Sequence, residues 1–275
     1  MITALRPLST GELLDRTFSL YRSHFGLFVG ISALPYLLVL AYRCVGLVFQ
    51  SPTPQLPNIL MNFVWSIGAL FLILIVSAAS QAATVVAVSN LHLDRPASVM
   101  DSFATVKSQI PGVIGLSLLV GLAGGAACLA FIVPGVLLFI MWSLSVPVKV
   151  LEHKGVLDSM SRSMELTKGS RGRIFVIGLL IFVLSIGVSW LLQWPILIAA
   201  GFSFRSGIQR MAIGWQAAAL IAEFVSRSLV GALGTIALSL VYYDQRVRRE
   251  AFDLQLMMTT IDATTVPVSP TQVGA

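Results

Sequence analysis

Three ionisable residues, Arg43, Glu223 and Arg227, interrupt stretches that are otherwise apolar. Glu223 and Arg227 are four apart, so on a helix they share one face. An ionisable group inside an apolar span is costly and is a functional candidate by default. Such a trio could gate an ion or an anionic solute. The structural alternative is an ion pair that ties two spans together while the long side chains snorkel to water. A second set, His92, Asp94, Glu152 and His153, could act as a metal or hydrolytic centre only if it converged in space. The three histidines, His24, His92 and His153, show no i,i+4 pair, and HExxH is absent. No GxSxG elbow or Ser/His pair is recognisable. No catalytic residue, metal or cofactor is therefore expected. The third set is basic: Lys168, Arg171, Arg173, Arg246, Arg248 and Arg249. These residues flank apolar runs and could face anionic lipid headgroups.

The elements that must position these residues are membrane spans. The chain has 275 residues, of which 56% are hydrophobic and 11% charged. Its mean hydropathy is +0.88. Soluble domains carry roughly 25% charged residues, and the apolar residues here fall in blocks long enough to cross a bilayer. Six spans are expected at about 25–48, 59–90, 111–132, 134–150, 174–199 and 215–243. The fold class is all-α, a six-helix integral membrane bundle in a single domain. Nothing remains for a soluble catalytic domain. The net charge of +6 does not point to nucleic acid, because the basic residues lie beside apolar runs rather than along one stripe. Cys44 and Cys128 lie in apolar runs and read as packing residues. No A-x-A-like site follows a short apolar region, so the first span is expected to serve as its own uncleaved signal.

Lys149 to Arg173 is the longest polar interval and holds six of the eighteen Lys and Arg residues. Placing it on the cytoplasmic side puts fourteen of the eighteen there, with both termini inside. Two amphipathic helices are expected at that interface. One covers 9–24, opened by a Ser9/Glu12 capping box, with Leu14, Phe18, Tyr21 and Phe25 as its apolar stripe. The other covers 155–168, with Val156, Leu157, Met160 and Met164 on one face and Gly169 as its C-terminal cap. A shorter amphipathic piece runs from Ala97 to Lys107. Thus a short amphipathic piece followed by two spans recurs three times. Pro35 should loosen span one. Small residues in SAASQAATVVAVSN of span two should face protein, as should Gly26/Gly30 and Gly121/Gly125. Val133-Pro134-Gly135 reads as a tight turn. A helical extension is expected over 244–258 and a disordered tail over 263–275.

Leu5-Arg6-Pro7-Leu8-Ser9, Gly11-Glu12-Leu13-Leu14-Asp15-Arg16 and Tyr21-Arg22 resemble the opening of a bacterial family of six-span proteins, described as the membrane domain of glycerophosphoryl diester phosphodiesterase. Ser163-Met164-Glu165-Leu166-Thr167-Lys168-Gly169 and Tyr242-Tyr243-Asp244-Gln245-Arg246-Val247-Arg248-Arg249-Glu250 resemble it too, as does Phe252-Asp253-Leu254. The likeness extends over nearly the whole chain. It implies a membrane module of a bacterial inner membrane. The soluble phosphodiesterase domain to which that module is sometimes fused is absent here, so no activity transfers. The expected function is a non-enzymatic module that binds lipid or a partner protein, with a link to lipid or glycerophosphodiester handling implied by the resemblance. The alternative is a small-solute or lipid transporter.

Overall fold

A computed structural model describes residues 9–49, 56–205 and 209–250. Among these the regular structure is wholly α-helical, in ten helices. They are α1 (Thr10–Ser23), α2 (Phe25–Phe49), α3 (Leu56–His92), α4 (Val99–Val106), α5 (Ile110–Ala130), α6 (Ile132–Met141), α7 (Ser145–Glu152), α8 (Val156–Thr167), α9 (Arg171–Arg205) and α10 (Gln209–Glu250). Six stretches are long and apolar enough to span a membrane: α2, α3, α5, α6 with α7, α9 and α10. The chain is an all-α, six-helix membrane bundle. A short helix followed by two spans recurs three times, as α1-α2-α3, α4-α5-α6/α7 and α8-α9-α10. The expected tail over 263–275, and the extension beyond Glu250, lie outside the described residues.

The centre of the bundle sets small residues of α3 against a longer buried run of α10. Val76 to Val88 of α3 contains the buried run Ala82–Val88, and Thr235 to Gln245 of α10 is buried almost throughout. Lipid chains are as apolar as leucine, so close packing rather than hydrophobicity selects the protein-facing side of a span. The leucines and phenylalanines of α3's first half point outward instead: Leu60 and Phe63 are 58% and 63% exposed. Several buried hydroxyls are satisfied within their own helices. Thr84 Oγ1 donates to the Ser80 carbonyl and Ser239 Oγ to the Thr235 carbonyl, each at 2.7 Å. Pro35 cannot donate to the Ile31 carbonyl four residues back. Ser80 Oγ of α3 donates to that oxygen at 3.4 Å, so the proline's missing bond becomes a link between spans one and two.

Span four is not continuous. The helix stops at Met141 and restarts at Ser145. Backbone groups freed within a membrane must find partners in the protein. Ser163 of α8 supplies both, its Oγ donating to the Met141 carbonyl at 2.8 Å and accepting from the Leu144 N–H at 3.2 Å. This sets the buried face of α8, which is Ser159, Met160, Ser163, Leu166 and Thr167. The stripe expected from hydropathy is displaced accordingly: Met160 is buried, but Leu157 is 69% exposed. In α1 the same shift occurs. Leu13 and Thr17 are buried and Phe18 faces outward. Tyr21 donates its hydroxyl to the Leu229 carbonyl of α10, and burial pushes its phenol up. The Ser9/Glu12 capping box is present in both directions, and Gly169 adopts φ +83° just past α8.

Three glycine expectations change. Gly121 and Gly125 face open space, and it is Gly124 that receives the Phe139 ring. Of Gly26 and Gly30, only Gly30 packs closely, against Val99 of α4. The turn between α5 and α6 falls at Phe131, extended at φ −153°, and Val133-Pro134-Gly135 already lies in α6. There Gly135 lets the α6 backbone press onto Cys128.

Candidate functional site

Asp244 and Glu223 lie 21 residues apart on α10, about 31 Å at 1.5 Å per residue. That matches the roughly 30 Å thickness of a bilayer's hydrocarbon core. The two residues therefore stand toward opposite ends of the apolar stretch of α10. Arg173 of α9 pairs with Asp244, and Trp194 stands 21 residues further along α9. Trp190 and Trp194 form a tilted, outward-facing pair, as an aromatic belt at the opposite boundary would.

At the Asp244 end the basic residues gather. Asp244, its side chain fully buried, accepts from Arg173 at 2.6 Å and from Arg248 at 2.9 Å. Asp244 thereby fixes the start of α9 against the end of α10. Beside it lies a cavity of about 460 Å³ lined by Lys168, Ser170, Gly172, Arg173, Arg248 and Arg249, with Gly169 and Gln245 completing it. Lys168 and Arg249 have no carboxylate partner among the described residues. The first turn of α9 opens onto the same space. The hydroxyl of the preceding Ser170 donates to the Thr167 carbonyl at 3.2 Å. Free N–H groups at a helix start favour an anion. Gln245 is 2% exposed, and its Nε2 meets no hydrogen-bond partner among the described residues. The assembly offers guanidinium, ammonium, amide and backbone donors to one anionic group.

Of the six basic residues singled out from the sequence, four line this cavity. Arg171 is adjacent in sequence but does not line it. Arg246 turns away, donating to Tyr242 Oη at 3.2 Å with its guanidinium 5.7 Å from the ring centre. It joins a second polar network. Tyr242 Oη also donates to Glu152 at 3.0 Å, and Glu152 pairs with Lys154 at 3.0 Å and Arg162 at 3.6 Å. Tyr243 donates to Ser89 Oγ at 2.9 Å and stacks on His92 at 4.5 Å. These contacts lock α3, α7, α8 and α10 together. They also give the residues a hydrolytic centre would need different partners. His92 lies on Tyr243 and Glu152 on Tyr242, while Asp94 and His153 occupy left-handed turns at the ends of α3 and α7. Among the described residues no three His, Cys, Asp or Glu side chains form a cluster. His24 sits at the α1–α2 corner against Ser23, at 2.9 Å.

At the opposite end Arg43, Glu223 and Arg227 do meet. Glu223 accepts from Arg43 at 2.8 Å and from Arg227 at 3.0 Å. Arg227 also lies over the Tyr36 ring, 5.7 Å from its centre. The trio joins spans one and six. Nearby, Tyr42 and Trp65 stack at 4.5 Å, with Gly46 and Gly68 making room for the two rings between α2 and α3. Gln245, Ser170 and Gly172 escaped the sequence reading. Their signal was weak: a glutamine within a motif, and two small residues before a span. No protein-family model matches the chain, and none of the curated proteins or solved structures compared with it gives a match.

Proposed function

We propose that this chain is a non-enzymatic module of a bacterial cytoplasmic membrane that binds anionic lipid headgroups at its basic end. Both termini would then lie in the cytoplasm, where an excess of Lys and Arg is retained. The observation that carries the reading is the cavity where Lys168, Arg173, Arg248 and Arg249 converge at the start of α9. It lies at the level of Asp244, where headgroups meet the hydrocarbon core. Cationic groups at that depth attract anionic lipid. A phosphate ligand, and a role in lipid or glycerophosphodiester handling, are what the resemblance of the short sequence motifs to glycerophosphoryl diester phosphodiesterase membrane domains would imply. The transporter reading has less support. Between the two charged ends, α10 is packed through Ile236 and Ala237, both at 0% exposure.

The test is native mass spectrometry of the protein extracted gently from its own membrane. Anionic phospholipid should be retained, and a Lys168→Gln/Arg249→Gln variant should retain less. A bare monomer for both proteins would sink the proposal. A retained partner subunit whose loss followed the same substitutions would reassign the cavity to protein docking.

A further inference from the structure

The opposite end carries an imbalance that the basic-end reading does not use. Arg43 and Arg227 share the single carboxylate of Glu223, which leaves one positive charge in excess within spans one and six. The charges are only partly covered, with side-chain exposures of 33% for Arg43, 42% for Arg227 and 25% for Glu223. An uncompensated charge beside hydrocarbon is costly unless an anion or water joins it. A guanidinium has five N–H donors, and the bonds to Glu223 occupy Nη1 of Arg43 and Nε of Arg227. Donors therefore remain on both.

Arg43 also borders a cavity of about 380 Å³ between α2, α3 and α10. Its other walls are almost entirely apolar, with Trp65, Leu70, Ile73 and Leu220 among them. Leu70 is 67% exposed, so this side of the cavity opens away from the protein, toward lipid. The volume lies in the range of small-ligand sites, about 300–1,000 Å³. One cationic corner, with an apolar trough running from it along Leu70 and Ile73, has the polarity of a phospholipid. We propose that this cavity binds one anionic phospholipid of the leaflet at that end, its phosphate on Arg43 and an acyl chain along Leu70 and Ile73. This site is independent of the basic-end cavity and stands whether or not that one binds lipid.

The test titrates the full chain in neutral detergent with dioleoyl phosphatidylglycerol, counting bound lipid by native mass spectrometry. The Lys168→Gln/Arg249→Gln background removes the other site from the count. Arg43→Gln should weaken binding of one lipid about tenfold, the loss of one charge-assisted contact. Leu70→Trp, at an exposed position, should weaken it comparably by filling the trough while leaving the ion pair intact. Glu223→Gln should tighten it, because both guanidiniums are released to the phosphate. Dioleoyl phosphatidylcholine should bind more weakly, and glycerophosphoglycerol, the headgroup without chains, should not compete. Unchanged affinity in both Arg43→Gln and Leu70→Trp would overturn the proposal. So would loss in Arg43→Gln alone, which would place the headgroup outside the trough, or competition by the chainless headgroup, which would make this a small-anion site.

Discussion

The two ends of α10 carry the same motif in different surroundings. At each, a carboxylate sits between two arginines, one four residues further along α10 and one from a neighbouring span. Asp244 holds Arg248 and Arg173 of α9; Glu223 holds Arg227 and Arg43 of α2. Asp244's side chain is fully buried, whereas Glu223's is 25% exposed. A buried carboxylate must be paired in the folded state, so the Asp244 ion pair itself is committed to structure, whatever the exposed cations around it do. The other keeps access to headgroups and water, and its arginines keep donors to spare. The same ion chemistry is thus sealed at one end and accessible at the other, and burial makes the difference.

The largest effect should come from Asp244→Asn. It strands the Arg173 guanidinium, 18% exposed, without its carboxylate. Breaking a buried pair on one side costs about 3–5 kcal/mol. Thermal unfolding in detergent should show a correspondingly large drop in stability. A loss no greater than that of Glu223→Gln would erase the distinction between the two ends.

Ser163→Ala comes next. It removes the acceptor for the Leu144 N–H, which is left unsatisfied, and leaves the Met141 carbonyl only the longer bond from Thr167 Oγ1 at 3.4 Å. Unsatisfied buried groups cost about 1–3 kcal/mol each. Unfolding should register a loss in that range, with α8 losing its amide-exchange protection first. Unaltered stability would mean that water serves the break and that α8 is not its support. Glu223→Gln should follow at about 1 kcal/mol or less, because partial exposure screens the remaining arginines. A cost of several kcal/mol would make that end as structural as the Asp244 end.

These contrasts explain what was legible in the sequence. Spans, caps and charge segregation rest on local rules, and they emerge from hydropathy, from Ser9/Glu12 and from Gly169. The Arg43/Glu223/Arg227 cluster was visible because charges are rare inside apolar runs. Which face of a short helix meets the protein was not visible. In α8 the buried seam is Ser159, Ser163 and Thr167, while Leu157 faces outward. In a soluble protein the apolar stripe would mark the core, but beside lipid it marks either side, and small or hydroxylated residues carry the contact. The break in span four was hidden for a related reason. Trp142-Ser143-Leu144 looks like any apolar helix, and the residue that satisfies it lies some twenty positions downstream. The basic cavity needed Arg173 and Asp244, 71 residues apart, to be brought together.

The smallest effect on stability should accompany the largest effect on binding at the basic end. Lys168 and Arg249 are exposed and have no carboxylate partner among the described residues. Replacing both with glutamine removes no packing and leaves Asp244 with Arg173 and Arg248. Surface changes of this kind stay within about 0.5 kcal/mol. Each lost cation near an anionic surface weakens attraction by about 1 kcal/mol, so two should lower binding to phosphatidylglycerol vesicles by roughly thirtyfold, and less at high salt. Co-flotation of the protein's detergent micelles with such vesicles, measured alongside the melting temperature, separates the two quantities. If binding and stability fell together, the cavity would be one more piece of the Asp244 clamp. If binding alone fell, the buried carboxylate holds the structure and the exposed cations around it hold the ligand.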